Sequence, residues 1–129
     1  MSLPGGRIDP GDATPLETAR RETLEEVGFD PLREGRLLGP LDVVPGRSNV
    51  VLVAPFVVAI ESDVAPGPSA ELALAWWARA GELVERDVRV PELPFPVPAF
   101  VGVAPDGRDA VVWGMTHRLL LGARAMALI

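Results

Sequence analysis

The sequence predicts an α/β sandwich built as one domain, residues 1–129, and three observations carry that expectation. The chain has 129 residues and a mass of 13.7 kDa, about the size of one ordinary domain. Hydrophobic residues make up 48% and charged residues 23%, close to the average for globular proteins and far from disordered chains. Helical patterns and β-branched runs share the same short chain, separated by clusters drawn from its 14 prolines and 13 glycines, so both element types must pack around one core.

The elements follow in order. Pro4-Gly5-Gly6 and Asp9-Pro10-Gly11-Asp12 are turns, so the chain opens in loop. Thr14 then offers an N-cap oxygen, Pro15 suits the first helical position, and Glu17 has the capping-box spacing. The helix is expected to run to about Val27, with Gly28 as its left-handed cap; Phe29-Asp30-Pro31 cannot continue it. Leu37-Leu38 and residues 41–44 read as short strand pieces interrupted by Gly39-Pro40. Residues 50–60 are β-branched enough for one long buried strand, and residues 64–69 are loop. Residues 71–77 are read as strand rather than helix because Trp76-Trp77 leads into a helix-like stretch over 81–86. Residues 100–103 and 110–113 flank Pro105-Asp106-Gly107, a hairpin signature, and residues 116–127 form a closing amphipathic helix.

Composition excludes several functions. A formal charge of -6 and a pI near 4.7 argue against nucleic acid or anionic membranes as partners, since both demand clustered Lys and Arg. A polyanionic substrate would need a bridging cation or local arginines. With no cysteine there is no disulfide, thiolate nucleophile or Cys-type zinc site, which fits a reducing compartment. The most apolar stretch, residues 50–60, is about half the length that spans a bilayer, and no charged-then-apolar leader is visible. A cytoplasmic protein is expected.

The chemistry concentrates in Arg21-Glu22-Thr23-Leu24-Glu25-Glu26-Val27-Gly28. On a helix Glu22 and Glu26 lie one turn apart on one face, with Glu25 beside them at i+3. Like charges at that spacing destabilise a bare helix by a few tenths of a kcal/mol per pair, about 0.2–0.5. A cation among them reverses the sign, and oxygen-only ligands suit a hard divalent ion, Mg2+ or Mn2+. An arbitrary acidic trio would more often be a solvated helix face.

The surrounding residues set that alternative aside. Leu3-Pro4-Gly5-Gly6, Asp9, Asp12, Ala19, Arg21-Glu22, Glu25-Glu26 and Gly28 together resemble the Nudix box, a Gly-rich loop and helix ending in R-E-x-x-E-E-x-G. The resemblance implies a Nudix-type α/β/α sandwich with a mixed sheet, and metal-dependent hydrolysis of a diphosphate linkage in a nucleotide-like small molecule. It implies that Glu22, Glu25 and Glu26 hold the metal with the Gly5 carbonyl, and that Arg21 orients a glutamate through a salt bridge. Gly28 matches the glycine that ends the helix.

The box departs from its usual form, because Asp12 holds the acidic position and the gap to Arg21 is one residue longer. P-G-G-x-x-D-x-x-D followed by T-A-x-R-E-x-x-E-E is similar to the variant of the coenzyme A diphosphatase branch, written here by Pro4-Gly5-Gly6, Asp9, Asp12, Thr18-Ala19 and Arg21-Glu22. Val112-Trp113-Gly114-Met115-Thr116 looks like that branch's W-G-x-T, and Pro96-Val97-Pro98 also resembles it. Coenzyme A or its thioesters, cut to 3′,5′-ADP and 4′-phosphopantetheine, is the implied substrate. ADP-ribose, a dinucleotide, or a non-catalytic binding role are the alternatives.

Two expectations come from the start of the chain, which is already in the loop at Met1-Ser2-Leu3 where such domains place one or more strands. The fold is expected to be N-terminally truncated, or completed by a second subunit as a homodimer. Among the remaining candidates, Arg7, Arg20 and Arg47 could meet substrate phosphates, against a background expectation of solvated surface for each. Arg47, in Pro-Gly-Arg-Ser, is the foremost. A general base is open among Glu61, Asp63, Glu71 and Glu82. His117 is expected on a helix surface rather than in catalysis, and at least one of Trp76 and Trp77 in the core.

Overall fold

Helix α1, Pro15–Val27, starts and stops where local chemistry dictates. The Thr14 hydroxyl accepts from the Glu17 amide at 3.2 Å, and the Glu17 carboxylate accepts from the Ala13 amide at 2.8 Å, one residue ahead of the usual capping box. Gly28 sits at φ 86°, a left-handed conformation that a Cβ would strain, and its amide donates to the Leu24 carbonyl. The computed structural model describes residues 1–46 and 50–129. Those residues form two compact units, Pro4–Trp77 and Ala78–Ile129 with Met1–Leu3, which are taken in turn.

In the first unit Asp30 caps a second helix immediately after the first. This is α2, Pro31–Glu34, and the Asp30 carboxylate accepts from the Leu32 amide at 3.0 Å. It leads into β1, Gly35–Pro40, which pairs antiparallel with β4, Phe56–Ile60. Gly39-Pro40 does not interrupt β1 as expected, since a register shift between Leu37 and Gly39 absorbs the irregularity. Val44–Pro45 (β2) and Leu52–Val53 (β3) make a second, short antiparallel pair. The expected long strand over 50–60 is thus two strands, broken at Ala54-Pro55, and β4 is half-buried rather than buried. Proline has no N–H for a ladder, and the Pro55 carbonyl instead accepts from the Leu41 amide at 2.9 Å. Of the expected strand over 41–44, only Val44 is in a strand.

Residues 71–77 are irregular, not strand. Trp77 lies over Phe29 with ring centroids 5.8 Å apart and donates from Nε1 to the Val64 carbonyl, while remaining 56% exposed. Trp76 is half-buried.

The second unit is an antiparallel sheet in the order β5-β6-β7, with β5 Val84–Val88, β6 Val97–Val103 and β7 Asp109–Trp113. The helix-like stretch over 81–86 is instead a 3-10 turn, Ala80–Glu82, followed by β5, because Val84 and Val88 find partners in Val101 and Val97. The 105–107 hairpin forms as expected, with the Ala104 amide donating to the Arg108 carbonyl. Helix α3, Gly114–Ala125, packs on this sheet. Phe100 and Val112, paired across β6 and β7 and fully buried, form the centre of the core.

Among the described residues the ladders are antiparallel and fall in three separate sheets, rather than the single mixed sheet expected. Helices and antiparallel sheets together make this an α/β fold. No helix among the described residues is long and apolar enough to cross a membrane.

Candidate active site: the acidic face of the first helix

One guanidinium organises this face. Arg21 carries five N–H donors, and each has an acceptor: Nε donates to Asp12 Oδ1 at 3.1 Å, and Nη2 to Asp12 Oδ2 at 3.0 Å and the Arg7 carbonyl at 3.2 Å. Nη1 divides its two between Glu22 Oε1 at 2.9 Å and Glu25 Oε2 at 3.1 Å. The i,i+4 pair with Glu25 is the one the sequence anticipates; the second glutamate on the same nitrogen is not.

Asp12 is held as tightly as Arg21. Besides the two guanidinium bonds, its Oδ2 accepts from the Asp9 amide at 3.0 Å and the Thr18 hydroxyl at 2.9 Å. The Arg21 hydrogen bonds first, then the Asp9 amide, hold the Asp12 carboxyl well below the usual carboxylate range, partial burial opposing them. Reciprocally, Asp12 raises Arg21 above the ordinary arginine range.

The Gly-rich loop meets the helix at two points. The Gly5 amide donates to Glu26 Oε2 at 3.0 Å. A Cβ built on Gly6 would collide with the Glu22 carboxylate, so the loop comes this close only because residue 6 is glycine. Glu22 and Glu26 are thus brought to the loop, whereas Glu25 points outward with a side chain 58% exposed.

Other candidates fare differently. Arg20 is committed to Asp30, with Nη2 on Oδ2 at 2.5 Å, so it ties α1 to the cap of α2 instead of facing a phosphate. An open depression of about 290 Å3 is bordered by Asp12, Glu17, Arg20, Arg21 and Leu24, and both of its arginines are already bound to carboxylates. Arg47 lies outside the described residues. Glu61 pairs with Arg36 and Glu82 with Arg79, which leaves the base unassigned. His117 is buried, not on a helix surface: Nε2 donates to Glu85 Oε1 at 3.0 Å and its ring packs at a tilt against Phe100, centroids 4.9 Å apart. It belongs to the core of the second unit.

Asp9 and Thr18 stand in the sequence pattern of the loop and helix, but that both donate to Asp12 is not visible there. A threonine one turn ahead of Arg21 on the same helix face was the available signal.

The family model described as NUDIX domain matches residues 1–95, most of the chain, and the chain belongs to that family. No curated protein matches it. The family is one of pyrophosphohydrolases acting on nucleoside diphosphate derivatives, and its members generally use divalent metals such as Mg2+ or Mn2+.

The donor set fits such an ion. Three carboxylates and a loop carbonyl are hard oxygen donors, and Gly6 keeps the space beside Glu22 clear of a side chain. Among the described residues no three His, Cys, Asp or Glu side chains are gathered closely enough to hold an ion as they stand.

Proposed function

We propose that this chain hydrolyses the diphosphate linkage of coenzyme A or its thioesters, giving 3′,5′-ADP and 4′-phosphopantetheine, with Mg2+ or Mn2+ held by Glu22, Glu25, Glu26 and the Gly5 carbonyl. The observation that carries this reading is the Arg21 network, which fixes two glutamates on one helix face while the Gly5-Gly6 loop meets the third and leaves room beside the first. A divalent cation bound there supplies Lewis acidity toward the diphosphate oxygens and toward the attacking water.

The residues of the chain do the rest. Arg21 sets the direction of Glu22 and Glu25, and the Gly5 amide that of Glu26. In the reaction a water oxygen forms a bond to one phosphorus, the bridging P–O bond breaks, and the water proton passes to a carboxylate. The formal charge of -6 makes cation-mediated contact the natural way for such a protein to hold a polyphosphate. The substrate is drawn from Pro4-Gly5-Gly6, Asp9, Asp12 and Thr18-Ala19, and from Trp113-Gly114-Met115-Thr116.

The test is a product assay in which coenzyme A, ADP-ribose and a dinucleoside polyphosphate are each incubated with the chain and Mg2+ or Mn2+. Release of 3′,5′-ADP from coenzyme A, faster than cleavage of the other two, is expected. Preferential cleavage of ADP-ribose or the dinucleotide would reassign the substrate within the family, and metal binding with no turnover would make the chain a binding module.

A further inference from the structure

Thr18 is 4% exposed, and its hydroxyl meets a carboxylate. Its hydroxyl has one proton and two acceptors within reach, Asp12 Oδ2 at 2.9 Å and the Thr14 carbonyl at 3.5 Å. The shorter bond, to a charged acceptor, takes the proton. Asp12 Oδ2 is thereby fixed from three directions, by Thr18, the Asp9 amide and Arg21 Nη2.

The consequence runs along the network. A carboxylate fixed in rotation fixes the plane of a guanidinium bound to it at two points. That plane aims Nη1 at Glu22 and Glu25. No other side-chain hydroxyl donates to Asp12 among the bonds of the described residues. Asp12 stands at the acidic position with a side chain one methylene shorter than glutamate and a gap one residue longer, and Thr18 steadies it there.

We propose that Thr18 is a positioning residue for the metal-binding face: by orienting Asp12 its hydroxyl sets Arg21, and through Arg21 the directions of Glu22 and Glu25. The inference rests on the reading of Glu22, Glu25 and Glu26 as metal ligands.

The experiment is a Mn2+ titration of the whole chain, followed by the loss of the free-ion paramagnetic resonance signal, for the parent, Thr18→Val, Thr18→Ser, Glu22→Gln and Glu26→Gln. Valine keeps the volume and removes the hydroxyl; serine keeps the hydroxyl. Thr18→Val is expected to weaken Mn2+ binding about tenfold, the low end for outer partners of metal ligands, while Thr18→Ser stays within about twofold of the parent. A space-filling role for Thr18 would move the melting temperature of both variants and leave the Mn2+ midpoint alone. If Thr18→Val does not fold, Thr18→Ala takes its place in the comparison.

Weakening in the two glutamine variants but none in Thr18→Val, or a Thr18→Ser variant as weak as Thr18→Val, overturns the role of Thr18 and leaves the ligand assignment standing. Mn2+ binding that is absent in the parent, or unchanged in both glutamine variants, overturns the ligand assignment and this inference with it.

Discussion

Arg21 and Asp12 meet edge to edge, Nε on Oδ1 at 3.1 Å and Nη2 on Oδ2 at 3.0 Å, leaving only the far nitrogen and one Nη2 proton for other partners. This two-point contact requires a planar fork. Lysine, a point charge with three rotatable donors, cannot reproduce it while also reaching Glu22 and Glu25. Arg21→Lys is expected to lower turnover by about tenfold to a hundredfold at saturating Mg2+. Steady-state kinetics check this, and a lysine variant with parental kcat would show that the fork is dispensable.

The same contact makes stability depend on pH. The Asp12 carboxyl is depressed in the folded chain relative to its unfolded value of about 3.9, so the unfolded chain binds more protons in that window. Its contribution is complete above the unfolded value and is lost as pH falls through the folded one. Asp30, beside Arg20, and Asp106, beside Arg108, are shifted the same way. Urea midpoints at about pH 5 and about pH 2.5 should differ less in Asp12→Asn than in the parent, without becoming equal. Equal losses in the two chains would contradict the assigned shift.

Gly6→Ala separates site from scaffold. The added Cβ meets the end of the flexible Glu22 side chain, not backbone, so Glu22 can swing aside at small cost to the fold. The melting temperature should change little while Mn2+ affinity falls. A large loss of stability with parental Mn2+ binding would show that the close approach serves the loop alone.

In the second unit the cost is one of packing. Phe100 is fully buried, packs at a tilt against His117 and lies beneath the Arg124 guanidinium at 4.5 Å from its centroid. Phe100→Ala should cost about 3–5 kcal/mol in urea unfolding. A loss below about 1 kcal/mol would mean that the site collapses around the cavity, or that the ring is not buried as described.

What the sequence disclosed follows the range of the forces involved. The first helix was legible at both ends because Thr14, Pro15 and Gly28 act on backbone groups within four residues of themselves. The 105–107 turn was legible for the same reason. Residues 81–86 carry a helix-like local pattern, but the force that makes Val84–Val88 a strand is a ladder to β6, which no local pattern displays. The burial of His117 is not legible locally because its partner, Glu85, is 32 residues away. The break between Leu52–Val53 and Phe56–Ile60 is legible, since Pro55 cannot donate to a ladder.

The site divides in the same way. Glu22, Glu25, Glu26 and Arg21 share a helix, so spacing alone put them on one face. The part of Thr18 depends on a loop folding back to bring Asp12 within 2.9 Å, a tertiary fact. Arg20 was open to a phosphate in the sequence and is closed to it by Asp30 in the fold.

If this acidic face, loaded with a divalent cation, cleaves a diphosphate bond as proposed, both the cation and the glutamates must be required for turnover. The most direct measurement is phosphoanhydride hydrolysis of coenzyme A with Mg2+, with Mn2+ and with chelator, in the parent and in Glu26→Gln. Turnover that the chelator abolishes and that Glu26→Gln lowers by at least about a hundredfold is expected. Turnover that persists in chelator, or that Glu26→Gln leaves at the parental rate, would contradict the proposal.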